Sequence, residues 1–194
     1  MEFIEIAKGI LTEPSKTFDA LKGESIGEAL KYYAVIVAIY SAIYAVLISL
    51  LFGSMFRQFG VMMGIGFGPA GAVAIFLMMF IFGIIGIIIG GAIFHIFVYL
   101  AGGRKGINQT IKAVIYGSTP GLLLGWIPLV GLIAGVWSLI LEVVGIRQLH
   151  EMTTGKAVLA VVLLLVVIVI ITVILAAVIA AFFFSTFSRS SMLR

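Results

Sequence analysis

Residues 71–100 read GAVAIFLMMFIFGIIGIIIGGAIFHIFVYL and contain no lysine, arginine, aspartate or glutamate. A helix crosses the hydrocarbon core of a bilayer in about 20 apolar residues, so this stretch is long enough to span a membrane. The composition agrees, because 63% of the 194 residues are hydrophobic and only 10% are charged, whereas soluble domains have about 25% charged residues. The sequence therefore predicts an integral membrane protein. It has no cysteine, which excludes disulfides and thiolate metal sites.

The whole sequence predicts an all-α, polytopic bundle of five transmembrane helices. Ser25 followed by Glu28 is a capping-box pattern that starts the first span, and Pro120 interrupts the short third span. The residues after the last span, 185–194, have the composition of a disordered tail. The five predicted spans are approximately residues 31–52, 71–100, 108–126, 128–149 and 157–184.

Residues 1–30 differ from the spans in the pattern of their apolar residues. Phe3, Ile6 and Ile10 recur at helical spacing, which predicts an amphipathic helix. A second short helix follows "TEP", with Phe18 and Leu21 on one side. Such a segment either binds a membrane surface or a partner, or forms a lid on the ends of the spans. Its mixed charges favour the lid.

The distribution of basic residues predicts the orientation, because cytoplasmic loops are enriched in lysine and arginine. With five spans, nine basic residues lie on the N-terminal side and three on the other. We therefore expect a multi-pass cell-membrane protein with a cytoplasmic N-terminus and an external C-terminus. The nine are Lys8, Lys16, Lys22, Lys31, Arg104, Lys105, Lys112, Arg147 and Lys156, and the three are Arg57, Arg189 and Arg194.

Glu142 lies inside the fourth span, where a carboxylate costs several kcal/mol unless it is compensated. Residues three and four apart share a helix face, so Glu142 lies on one stripe with Gly131, Gly135, Ser138 and Gly145. Small residues on one face indicate the close approach of another helix. We therefore expect Glu142 to point into the bundle.

Three further polar residues are predicted at the depth of Glu142, which is about 9 Å inside the cytoplasmic end of its span. They are His95 in the second span and Lys112 and Tyr116 in the third. On one interpretation, the four residues form a buried polar cluster that fixes helix register. On the other, they form a proton or ion relay, or the polar end of a ligand pocket. In either case we expect Glu142 to have a polar or cationic partner from another span, with His95 and Lys112 as the first candidates.

A second stripe of small residues, Gly83, Gly86 and Gly90, lies on the second span. These glycines allow close helix packing within the chain, or they form a hinge or a contact between copies of the chain in an oligomer.

Motifs for catalysis, metals and cofactors are incomplete, so we assign no catalytic residue, no metal ligand and no cofactor. The sequence "HEMTT" begins like the H-E-x-x-H zinc motif, but Thr154 stands where the second histidine is required.

The stretch from His95 to Ala157 resembles the core of the Yip domain family, the five-span relatives of the Rab/Ypt-interacting proteins. "EPSKTFDAL" is also similar to the "P-x-x-x-F" pattern of prokaryotic members. The matching positions are His95, Leu100, Gly102, Gly103, Thr119, Pro120, Ile127, Pro128, Gly131, Trp137, Gly145, Gln148, His150, Lys156 and Ala157.

The resemblance implies five spans and a cytoplasmic N-terminus. For eukaryotic members it also implies membrane traffic with small GTPases as partners, but the Asp-Leu-Tyr-Gly-Pro motif of those members is missing here. The layout resembles prokaryotic members.

Three functions remain open. The first is a non-enzymatic scaffold or adaptor that organises membrane proteins or lipids. The second is a small transporter or channel that uses the buried His/Glu/Lys layer, and the third is an intramembrane enzyme. The expected partners are membrane lipids, other membrane proteins or a cytoplasmic protein, and not nucleic acid.

Overall fold

The computed structural model describes the backbone of residues 2–63 and 69–192, and the side chains of residues 2–51 and 71–184. Within these ranges the protein is all-α and has no strand. The side chains of Arg57, Arg189 and Arg194 lie outside the described residues. The helices are α1 (Phe3–Thr12), α2 (Pro14–Ala20), α3 (Ile26–Met63), α4 (Pro69–Leu100), α5 (Ile107–Gly117), α6 (Thr119–Leu124), α7 (Val130–Leu149) and α8 (Thr154–Met192).

The ends of these helices follow from local chemistry. The hydroxyl of Ser25 accepts a hydrogen bond of 3.2 Å from the backbone N–H of Glu28, which caps α3 as its sequence predicts. After α4, Gly102 takes a positive φ of 105°. This conformation lets the N–H of Gly103 donate to the carbonyl of Val98 at 2.8 Å, an arrangement that ends helices and favours glycine.

Helix α8 runs to Met192, through most of the segment predicted as a disordered tail. The physical reason is that no glycine or proline occurs between residues 157 and 192. Serine and arginine, which distinguish the tail in composition, do not stop a helix that is already formed.

Among the described residues, four helical segments are long and apolar enough to cross a membrane: Ile26–Leu51, Gly71–Leu100, Val130–Leu149 and Thr154–Phe184. The third predicted span instead consists of α5 and α6, which are 11 and 6 residues long. The five-span count is therefore not confirmed. The chain breaks at Ser118 because Pro120 lacks a backbone N–H and its ring clashes with the preceding turn.

One end of the bundle carries nearly all the polar chemistry, and we call it the polar face. It comprises residues 2–31, which include α1, α2 and the start of α3, residues 101–112 from the end of α4 into α5, and residues 147–156 from the end of α7 into α8. These segments touch: Lys105 pairs with Glu151, and the side-chain amide of Gln109 donates to the carbonyl of Lys22 at 3.3 Å. The segments that carry most of the basic residues therefore share one end of the bundle.

The core lies under the polar face and extends between α3, α4, α5 and α7. The other end of the bundle exposes apolar side chains on α4, α7 and α8, such as Phe82, Ile133 and Ile174. Exposed side chains of this type suit lipid surroundings, in which apolar surface has no reason to be buried.

Candidate functional site

Helices α1 and α2 form a cap over the polar ends of α3, α5 and α7. The apolar side of α1 packs inward, with Ile6 4% and Ile10 0% exposed. Phe18 of α2 is fully buried and lies against Gly145 of α7, where an added Cβ would come within 2.8 Å of the phenyl ring. Gly145 thus leaves the space that Phe18 fills, and the contact closes the cap onto the bundle.

Four aromatic rings, one from each of four helices, run in a row beneath the cap. Phe3 of α1 lies 5.1 Å from Tyr32 of α3, measured between ring centroids. Tyr32 lies 5.2 Å from Tyr116 of α5, which is 6.3 Å from Phe18 of α2. Aromatic pairs at these separations add about 1 kcal/mol each beyond the burial of their area. The row joins the cap to the spans.

Polar groups reinforce this row. The ammonium of Lys112 donates to the carbonyls of Lys22 and Glu24 at 3.0 and 2.8 Å. The hydroxyl of Tyr116 donates to the carboxylate of Glu24, and the hydroxyl of Tyr32 lies 2.8 Å from that of Thr119. Lys112 and Tyr116 therefore tie α5 to the turn that leads into α3. We call Glu24, Lys112 and Tyr116 the clamp.

A second polar group, the histidine cluster, consists of His95, Thr110 and His150. The hydroxyl of Thr110 lies 2.7 Å from Nδ1 of His95 and 2.9 Å from Nε2 of His150. The backbone N–H of Lys105 donates to Nδ1 of His150 at 3.4 Å. Nε2 of His150 then carries the proton and donates to Thr110, whose hydroxyl donates to His95. The cluster therefore requires a neutral His150.

The surroundings of His150 disfavour its charged form. Burial lowers the pKa of His150 to about 4, and the nearby charges of His95 and Lys105 act in the same direction. At the surface of the same turn, a hydrogen bond from Lys105 lowers the pKa of Glu151. At neutral pH, His150 is thus an uncharged residue that joins α4, α5 and the end of α7.

We expect Thr110→Val to lower the free energy of unfolding by about 1–3 kcal/mol, because it leaves Nε2 of the buried His150 and Nδ1 of the half-buried His95 without a partner. Valine keeps the shape of threonine, so packing changes little. Melting of the protein in detergent measures the loss, and Thr154→Val, at the exposed first residue of α8, is the control. Equal melting temperatures for the two variants would show that the cluster contributes nothing to stability.

The structure does not bring the four residues predicted as one layer into a single site. Lys112 and Tyr116 belong to the clamp, and His95 belongs to the histidine cluster. Glu142 has no hydrogen bond or ion pair with any described residue, so neither His95 nor Lys112 is its partner. The reason is reach: Lys112 extends to the carbonyls before α3, and Thr110 already engages His95.

Glu142 nevertheless lies against another helix. Its side chain packs on Gly117 at the end of α5, where an added Cβ would lie 2.7 Å from Cγ of Glu142. One turn earlier on α7, the hydroxyl of Ser138 accepts a hydrogen bond of 3.0 Å from the N–H of Gly121. Because Pro120 interrupts the regular helical hydrogen bonds at the start of α6, the N–H of Gly121 bonds to the hydroxyl of Ser138 instead.

The two stripes of small residues are only partly packed. Gly131 and Gly145 lie against Gly125 and Phe18, and Gly83 lies against Val37 of α3. An added Cβ at Gly86, Gly90 or Gly135 would meet no atom within 4 Å. Close packing within the chain therefore explains only some members of each stripe.

Sequence reasoning missed Glu24, Thr110 and His150 as members of the site. Glu24 and His150 lie in connecting segments outside the predicted spans, and Thr110 is an unremarkable residue of α5. The presence of only two histidines in the chain was the one usable signal. Within the described ranges, no group of three or more histidine, aspartate or glutamate side chains could hold a metal ion.

The apolar helices and the capped polar face define a multi-pass helical membrane protein. The model of the Yip1 domain family matches residues 8–176, which is most of the chain. The chain belongs to this family. No curated protein and no solved structure matches it.

Proposed function

We propose that the protein is a non-enzymatic membrane scaffold or adaptor whose polar face binds a cytoplasmic or membrane protein. In this proposal the chain crosses the cell membrane five times, with α5 and α6 together as the third, kinked crossing. The N-terminus is cytoplasmic and the C-terminus external, as the excess of basic residues on the polar face favours.

The proposal rests on one observation: the polar side chains of the clamp and of the histidine cluster form hydrogen bonds with other parts of the same chain. The clamp ties α5 to the turn before α3, and the histidine cluster joins α4, α5 and the end of α7. Together these bonds suit a rigid platform. On the surface of the cap and of the adjoining start of α3, acidic and basic side chains alternate as local pairs, including Glu13 with Lys16 and Glu28 with Lys31. A surface with both signs of charge offers specific contacts to a protein rather than a general attraction to anions.

A small transporter or channel is the second candidate, and Glu142 is the residue that favours it. A carboxylate inside a span without a described partner is a feature of ion and proton pathways. Against this function, the half of each described span farthest from the polar face has no aspartate, glutamate, lysine, arginine or histidine. An intramembrane enzyme ranks third because no catalytic motif is complete.

Two measurements separate these functions. In liposomes, we expect no proton or ion flux above that of protein-free vesicles, and no change with Glu142→Gln. In cells, single cysteines introduced on the exposed side of the cap, for example at Glu5 or Lys8, should crosslink to the same partner. The cysteine-free chain provides the background control.

Proton or ion flux that is abolished by Glu142→Gln would show that the protein is a transporter and not a scaffold.

The topology is tested with the same reagents, because a cysteine at Lys105 should react from the cytoplasmic side and a cysteine at Arg57 from the external side. Reaction of both from one side would contradict the five-pass arrangement.

A further inference from the structure

We propose that the crevice between α1 and the start of α3 binds the headgroup of a phospholipid that carries an ammonium group, such as phosphatidylethanolamine. The crevice has a volume of about 170 Å³, far more than one water molecule needs. It is lined by Phe3, Ile6, Glu24, Glu28, Lys31, Tyr32 and Val35. This inference goes beyond the scaffold function and does not depend on it.

The charges of the crevice favour a cation with an anionic group attached. The lining has two carboxylates, Glu24 and Glu28, and one ammonium, Lys31, which pairs with Oε1 of Glu28 at 2.7 Å. Its net charge is therefore negative. The hydroxyl of Tyr116 holds Oε2 of Glu24, and Oε1 is left for a second donor. An ammonium group would bind between the carboxylates, and the phosphate attached to it would lie near Lys31.

The aromatic residues add to this preference. The rings of Phe3 and Tyr32 lie 5.1 Å apart at an angle of 36° and form one side of the crevice. Ring faces attract cations, and the attraction grows where water is displaced. Tyr32 is only 4% exposed, so the half-buried Phe3, whose position Tyr32 fixes, offers most of the ring surface open to a ligand.

The position of the crevice points to a lipid rather than to a soluble amine. On the α3 side of the crevice, the lining residues run from Glu24, just before α3, to Val35, nine residues after the first residue of that helix. At 1.5 Å per residue this is about 14 Å along the helix axis, from the polar face into the apolar span. Val35 is 47% exposed and faces outward on the span, where the acyl chains of a bound phospholipid would follow.

The test is a titration of the full chain in detergent with dihexanoyl-phosphatidylethanolamine, read as a shift in melting temperature. We expect a saturable rise with this lipid and no saturable rise with dihexanoyl-phosphatidylglycerol, which has the same chains and no ammonium. Equal responses to both lipids would overturn the proposal, because they would indicate general binding to the apolar surface.

Two further arms test the site and the source of the headgroup. We expect Glu28→Gln to weaken binding of the ethanolamine lipid about tenfold. Glu13→Gln, which breaks an equivalent exposed pair with Lys16, should leave the affinity unchanged. Equal affinities for both variants would reject this location, and binding of water-soluble glycerophosphoethanolamine as tightly as the lipid would reject a lipid ligand.

Because Glu28 is exposed, its replacement is not expected to unfold the protein, and melting without lipid checks this. Phe3→Leu provides an independent variant that removes a ring and keeps the charges, and we expect it to weaken binding as well. Loss of lipid selectivity with intact crosslinking of the cap would reject the lipid site and leave the scaffold function standing.

Discussion

Phe18→Ala is expected to release the cap from the bundle and to lower the free energy of unfolding by about 3–5 kcal/mol, the usual range for removing a buried phenylalanine side chain. Phe18 is fully buried and fills the space above Gly145. Its ring is the last one of the aromatic row and lies next to the ring of Tyr116. The substitution therefore leaves a cavity at the junction of α2, α5 and α7.

The readout combines melting in detergent with labelling of a single cysteine at Ile10, a fully buried position of α1. In the Phe18→Ala background we expect a maleimide to react at least tenfold faster, because 1.4 kcal/mol changes the open population tenfold. Ile4→Ala is the control, since Ile4 is 76% exposed on the outer side of the cap. Unchanged labelling in Phe18→Ala would mean that the cap is held by other contacts.

The cap illustrates what sequence reasoning could achieve. The spacing of Phe3, Ile6 and Ile10 predicts α1 correctly, because the period of an amphipathic helix is a local property. The capping of α3 by Ser25 is local as well, and its prediction is confirmed. The long apolar helices follow from hydropathy, since a membrane restricts the chain to helices with satisfied backbone groups.

The polar contacts could not be predicted in the same way, because they depend on which helices meet. Lys112 was placed in a layer with Glu142 by depth alone, yet its long side chain reaches the carbonyls of Lys22 and Glu24, about 90 residues earlier in the chain. His150 received no role because it follows a span. Thr110 joins it to His95 only after α4, α5 and α7 have packed.

Acid is expected to destabilise the protein through His150. The pKa of this residue is about 4 in the folded chain, mainly because of burial, and about 6.5 in an unfolded chain. Between these values the unfolded chain binds the proton and the folded chain does not. Stability is therefore complete above about pH 6.5 and falls as the pH decreases towards 4, by about 3 kcal/mol in total.

The measurement compares unfolding of the parent protein and of His150→Gln in detergent between pH 8 and pH 4. Glutamine keeps a side-chain donor for Thr110 but does not titrate, so the variant should be less stable at pH 8 and should lose less stability on acidification. The difference between the two curves isolates His150 from the carboxylates, which titrate in both proteins. Parallel curves would show that His150 is protonated in the folded chain as readily as in the unfolded chain. The hydrogen bonds from Lys105 and to Thr110 would then not hold the ring in its neutral form, because Nδ1 can accept a bond from Lys105 only when it carries no proton.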